Sequence, residues 1–378
     1  MKPTNIFLIT ILFCFQLSAQ IQNVQSKYNL SNTVSETSGL IFFNNKLITH
    51  NDSGDGANLY ELDTVTGSIS RTITVSNATH VDWEDITQDD TYLYIGDFGN
   101  NNGNRQDLKI YRILKSDYIN NTDVTADIIS FSYEDQVDFT SNPYNHDFDA
   151  EAISVYQNQL IIFSKNWNSS TVKAYIIPKS IGSHSAKKIG NYNSNGLITG
   201  ATYNVEGNSF LLCGYHKDGN PILWYLQNID IQNIFSGNIE RTDITASIGL
   251  ASQIEGVAHI SEGKYFLSRE KVDRNINGTP VFLNQHLYRF DNGSFSALSI
   301  DKHALQKLVI YPNPTADILH FKIDNITQIE IFNATGKLVK TQKKSSNQIR
   351  VKELPAGVYI IRIALSNKTI ISQKFIKP

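Results

Sequence analysis

Between Glu36 and Phe290 the chain repeats one pattern of polar and apolar positions. A short acidic or polar start leads into an apolar run, a turn, a second apolar run and a polar loop. The pattern first appears as Glu36-Thr37-Ser38-Gly39-Leu40 followed by Lys46-Leu47-Ile48-Thr49-His50. It returns at Asp82-Trp83-Glu84-Asp85-Ile86, at Asp149-Ala150-Glu151-Ala152-Ile153, more weakly at Leu197-Ile198-Thr199-Gly200-Ala201, and at Gln253-Ile254-Glu255-Gly256-Val257. The equivalent residues Ser38, Glu84, Glu151, Thr199 and Glu255 are spaced by 46, 67, 48 and 56 positions. Each unit then offers a third apolar strand with a central aromatic, as in Leu59-Tyr60-Glu61 or Ile110-Tyr111-Arg112. Units of this length with several short strands predict propeller blades, because one small sheet cannot bury both of its faces alone.

Five units are clear. The segment from Val24 to Leu30 is placed to close the ring by pairing with the last blade. A sixth unit, if present, falls between Ser116 and His146, so the expectation is an all-β, five- or six-bladed β-propeller. The competing architectures are a β-sandwich and a two-sheet solenoid, and the recurring first-strand signature favours the propeller.

Composition adds compartment. Lys2, the apolar run Ile6 to Leu17 and the small residues of Leu17-Ser18-Ala19 read as a signal peptide, with a mature start at Gln20. Its removal takes Cys14 and leaves Cys213 without an intramolecular disulfide partner. The formal charge of -3 on 378 residues gives no sign of nucleic-acid binding. No later segment is long and apolar enough to span a membrane as a helix.

After Asp301 the pattern changes to a small antiparallel sandwich. Alternating strands are separated by the turns Tyr311-Pro312-Asn313-Pro314, Phe332-Asn333-Ala334-Thr335-Gly336-Lys337 and Leu354-Pro355-Ala356-Gly357-Val358-Tyr359, and the chain ends Lys374-Phe375-Ile376-Lys377-Pro378. These motifs, in this order, resemble the type A C-terminal sorting domain of the Bacteroidetes type IX secretion system. The resemblance implies Sec export, handling by the type IX machinery, removal of the tail, and either attachment to surface lipopolysaccharide or release. The expected organisation is 1–19 signal peptide, 20–303 propeller and 304–378 Ig-like sorting domain.

Candidate chemistry lies in the first-strand columns. Ser38, Glu84, Glu151, Thr199 and Glu255 form one column, and Glu36, Asp82, Asp149, Leu197 and Gln253 stand two residues earlier, on the same strand face. Carboxylates from several blades converging at a channel mouth repel unless a positive charge lies between them. Ca²⁺ with oxygen ligands is the natural partner. The candidate ligands are Asp82, Glu84, Asp97, Asp149, Glu151 and Glu255. Asp52, Arg105, Lys165 and Arg269 are candidate ligand-binding groups. The bland alternative is a ring that is hydrated or paired with those three bases. The stretch Asp52-Ser53-Gly54-Asp55-Gly56 lacks the twelfth-position Glu of an EF-hand and reads as a tight turn.

The strings His50 to Asp55, Trp83 to Ile86, Gly96 to Asn101, Arg105 and Asp149 to Ile153 resemble a group of bacterial propeller-like proteins, some labelled phytase-like or esterase-like. There is no G-x-S-x-G elbow, P-loop or H-E-x-x-H motif. Two functions follow. The first is a secreted or surface protein that binds a ligand or partner at the channel face. The alternative is a Ca²⁺-dependent phosphoesterase or esterase using the acidic mouth.

Overall fold

In a computed structural model, the described residues are 21–378 without 262, 277–278, 293–309, 324–325, 334–336, 344–345 and 366–369. The expected signal peptide and its cleavage site lie outside them, as do Leu308, Val309 and the tip of the Asn333 to Lys337 turn. The chain divides into two compact units, residues 1–297 and 298–378.

The first unit contains five four-stranded antiparallel blades among the described residues. The innermost strands are Thr37–Phe43, Trp83–Gln88, Ala150–Tyr156, Leu197–Asn204 and Ile254–Ser261. The ring closes as the pattern predicts. Ile21–Asn29 pairs with His286–Asn292 as the outermost strand of blade 5, with Gln25 opposite Arg289 and Ser26 opposite Tyr288. A propeller closed this way ties its N-terminal segment into its last blade, leaving only short, protected sheet edges.

The stretch from Ser116 to His146 holds no sixth blade. It contributes helix Lys115–Asn120, a short strand Asp123–Val124 beside blade 1, and Asp127–Tyr133, the outermost strand of blade 2. That outer strand also pairs in parallel with Gly182–Tyr192 of blade 3. The extra sequence length is spent on joining neighbouring blades at the rim.

Apolar clusters fill the spaces between blades. Trp83, Ile95 and Tyr111 pack with Ile41 and Ile48 between blades 1 and 2, and Phe163, Phe210 and Trp224 pack between blades 3 and 4. The third-strand aromatics Tyr60, Tyr111, Tyr175, Trp224 and Tyr288 are all buried. Each such side chain contributes roughly 2–3 kcal/mol by leaving water. Cys213 is a buried free thiol in this packing.

The axis is closed midway. Asp85 reaches across it and accepts backbone N–H bonds from Ile153 of blade 3 at 3.0 Å and Ala201 of blade 4 at 3.1 Å. Gly39, at φ +56°, lets the blade 1 backbone approach this layer, where a Cβ would lie 2.7 Å from Ile86 N. The propeller therefore has two separate mouths rather than a through channel.

The second unit is a β-sandwich. One sheet holds Ile310–Tyr311, Ile318–Phe321 and Gln348–Arg350, and the other holds Leu338–Gln342, Ile326–Asn333, Gly357–Leu365 and Ile370–Lys377. Alternate residues of both sheets, among them Leu319, Ile329, Ile361 and Phe375, form its core.

Candidate metal centre

The innermost strands all begin at one mouth. Those of blades 2 to 5 each bulge there: the pairing register shifts between Trp83 and Asp85, Ala150 and Ala152, Ile198 and Gly200, and Ile254 and Gly256. The unpaired residues are Glu84, Glu151, Thr199 and Glu255, four of the five members of the column read from the repeat; the fifth, Ser38, is paired opposite His50. A bulge re-aims its extra side chain and ends regular pairing, which suits a residue that must face a site rather than a neighbouring sheet. In blades 1, 3 and 5 the residue just past the second strand bonds back to the start of the first. Asp52 N donates to Glu36 O at 3.0 Å, Lys165 N to Asp149 O at 2.6 Å, and Glu270 N to Gln253 O at 3.2 Å. Asp52, Lys165 and Glu270 are thus equivalent positions carrying charge to one rim.

Glu84, Asp149 and Glu151 each offer a carboxylate oxygen, and these atoms lie within 4.8 Å of one another. All three residues are buried. Asp149 is fixed by Asn100 N at 2.6 Å and by Trp167 Nε1 at 2.7 Å. Glu151 meets Lys165 Nζ at 3.0 Å. Asp82 stands beside Glu84: a Cβ at Gly99 would fall 2.0 Å from Glu84 Oε1 and 2.3 Å from Asp82 Oδ2. Only glycine fits at 99 while both carboxylates keep these places.

A second group of carboxylate oxygens, from Glu36, Asp52 and Glu270, also lies within 4.8 Å. Gln253 Nε2 donates to Glu270. Glu255 sits electrostatically between the groups, acting on Glu151 and Glu270 and feeling Asp52. Glu270 and Glu36 were not among the expected ligands. Position was the available signal: Glu270 is the blade 5 equivalent of Asp52 and Lys165.

Three expected participants take other roles. Asp97 is fully buried, and its Oδ1 accepts from Arg105 Nη2 at 2.6 Å and from Asp82 N at 3.2 Å. Arg105 also donates to Gly99 O at 3.1 Å and to Asp107 at 2.9 Å, so its guanidinium is committed to this loop. Arg269 is not brought to the acids. It donates to Asn284 O at 2.7 Å and to Tyr288 Oη at 2.5 Å, because its strand turns it toward the blade's third strand. Asp52 is at the mouth, and its loop turns around Asp55, which accepts from Asn51, Gly56 and Tyr60. Of the hydroxyl members of the column, Ser38 donates to Glu84 O at 2.5 Å and Thr199 to Ile254 O, so both pin adjacent blades.

The electrostatics are those of crowded acids. Burial, then the neighbouring carboxylates, raises Glu84 well above its usual range. Burial likewise raises Glu151, although Lys165 works against the shift. Asp82 and Glu255 are pushed up to about 7, chiefly by burial. Burial opposes the charge on Lys165, but Glu151 and its neighbours outweigh it and hold the ammonium protonated. The face gathers the carboxyls of Glu36, Asp52, Asp82, Glu84, Asp97, Asp149, Glu151, Glu255 and Glu270 around the bases Arg105 and Lys165. Such an excess is stable only with bound protons or added cations.

Residues 309–378 match the model of a secretion system C-terminal sorting domain. The tail is a type IX secretion sorting domain. The sorting domain directs the chain to the outer-membrane surface or the surrounding medium, and implies handling by the type IX machinery. No helix among the described residues is long and apolar enough to cross a membrane. The chain is 31% identical over 86 residues to an ulvan lyase of Nonlabens ulvanivorans, a match spanning 21% of this chain and 16% of that enzyme. Among solved structures it is similar to PorZ, a surface component of the type-IX secretion system of Porphyromonas gingivalis, at 14% identity and a TM-score of 0.33, covering 93% of this chain and 47% of PorZ. The WD40 β-propeller domain of Doa1 is similar at 13% identity and a TM-score of 0.29, covering 92% of this chain and 96% of that one.

Proposed function

We propose that the propeller is a Ca²⁺-dependent binding domain that holds a ligand or partner at its acidic mouth on the bacterial surface. One observation carries this reading: Glu84, Asp149 and Glu151, from two adjacent blades, hold buried carboxylate oxygens within 4.8 Å of one another with a single ammonium beside them. A divalent cation supplies the missing charge, and oxygen ligands of this kind suit Ca²⁺. Asp82, Glu255 and the Glu36–Asp52–Glu270 group extend the negative rim around it. A cation held there would take its remaining ligands from the oxygens of the bound ligand or partner.

The competing hydrolase needs bases free to clamp a phosphate. Of the candidate bases, Arg105 is engaged by Asp97, Asp107 and Gly99, Lys165 by Glu151, Lys217 by the carbonyl of Trp167, and Arg269 by Asn284 and Tyr288. Binding is therefore the better-supported function. Heat denaturation with Ca²⁺ and with chelator tests it: the account expects a higher melting temperature with Ca²⁺, and an unchanged one removes the metal from the reading. Turnover of a phosphoester by the Ca²⁺-loaded protein would favour the hydrolase instead. Retention through lipopolysaccharide belongs to the same proposal. Release of the mature propeller from cells lacking the polysaccharide tests it, and unchanged retention opposes it.

A further inference from the structure

The opposite mouth of the propeller opens into a cleft of about 670 Å³. All five innermost strands contribute to it, through their C-terminal halves. Val155 lies four residues beyond Glu151, so the cleft is about 13 Å from the acids along the strand. The Asp85 layer lies between the two mouths. The volume falls within the range of small-molecule sites.

The lining is amphipathic and electrically balanced. Ile41, Ile86 and Val155 border it, as do Phe42 and Tyr203, whose rings are partly buried against the clusters between blades. Its charged groups are Asp89, Asp90, Lys115 and Lys179. Lys179 pairs with Asp89 at 2.7 Å. Lys115 Nζ lies 4.3 Å from the centre of the Phe43 ring. Two negative groups thus face two positive ones, and no net field selects an ion. Burial lowers the pKa of His259, contributed by blade 5, and its Nε2 makes no hydrogen bond but lies 4.0 Å from Glu206 Oε2.

The hydrogen-bonding groups of the cleft have capacity to spare. Among the described residues, the hydroxyl of Thr202, the side-chain amide of Gln157 and the carboxylate of Asp90 make no hydrogen bond to the protein. They come from three different blades, alternating with apolar surface. We infer that this cleft binds an uncharged, polyhydroxylated ligand, a saccharide of one or two rings, whose hydroxyls meet these groups while its C–H faces lie on Phe42 and Tyr203. The site is independent of the acidic mouth and of any metal there.

The test uses the full chain in chelator, titrated with cellobiose, maltose and lactose by calorimetry and by saturation-transfer NMR, with digalacturonate as the charged counterpart. At least one neutral disaccharide is expected to bind. Asp90→Ala and Thr202→Val, both with unchanged melting temperature, are each expected to weaken it roughly five- to tenfold, the loss of one hydrogen bond. Replacing chelator by Ca²⁺ leaves this binding unchanged. The inference is overturned if no neutral disaccharide binds, if both variants bind as tightly as the parent, or if digalacturonate binds best.

Discussion

Lys165 Nζ stands 3.0 Å from Glu151 Oε1, and neither side chain is more than 7% exposed. Among the described residues, this is the one ion pair made by the Glu84–Asp149–Glu151 trio. Removing the ammonium leaves three crowded carboxyls without a cation. Lys165→Met is expected to lower stability in chelator by roughly 3 kcal/mol, the scale for breaking a buried pair. Because the lysine competes with a metal for Glu151, the variant should also bind Ca²⁺ more tightly and regain stability with it. Urea denaturation with and without Ca²⁺ measures both effects. A variant equally destabilised in the two conditions contradicts the competition.

The pH dependence of the metal-free protein has a definite sign. Asp82 and Glu255 are pushed up to about 7 from 3.8 and 4.5, so the folded state holds protons that the unfolded chain releases earlier. Their contribution is complete below the unfolded values and is lost as pH rises through about 7. The metal-free melting temperature should therefore fall between about pH 5 and pH 8. Saturating Ca²⁺, which favours ionised carboxylates, should flatten or reverse that slope. A metal-free protein that becomes more stable across this interval contradicts the assignment.

Asp85 accepts backbone N–H bonds from blades 3 and 4, besides one from Ile86 at 2.8 Å. Asp85→Ala strands three donors in the centre of the ring. The expected loss is roughly 2–4 kcal/mol by denaturant unfolding, with Asp85→Asn losing less. An alanine variant as stable as the parent would show that the layer is not a tie between blades.

Ring closure depends on Ile21–Asn29. Deleting that strand bares the edge of His286–Asn292 and removes part of the blade 5 sheet. The truncated protein should unfold at lower urea and self-associate through the open edge, as sedimentation would show. A monomer with an unshifted midpoint contradicts closure by this strand.

Much of this fold is legible in the sequence because a blade leaves a strong alternating signal. The aromatic centres of the third strands marked the interfaces, and Val24 to Leu30 marked the closing strand. The acid column was legible for the same reason: Glu84, Glu151 and Glu255 interrupt otherwise apolar first strands. The bulges that aim them are not visible in spacing, since one unpaired residue leaves the hydrophobic pattern almost intact. Glu270 lies one residue past the strand end marked by Arg269, so only its blade equivalence with Lys165 distinguishes it in the sequence. Arg269 itself illustrates the converse. Its place at a strand end is plain in the sequence, but its direction is set by Tyr288 and Asn284, far along the chain. The stretch from Ser116 to His146 was long enough for a blade, yet its residues are used to join the rims of blades 1, 2 and 3.

The most direct measurement is a calorimetric titration of the metal-free protein with Ca²⁺, repeated on Glu84→Gln and Glu151→Gln. The account predicts saturable binding in the parent and a loss of at least tenfold in each variant, since each removes one of the three converging charges. Absence of Ca²⁺ binding in the parent, or binding unchanged in both variants, would contradict the claim that this mouth is a metal centre.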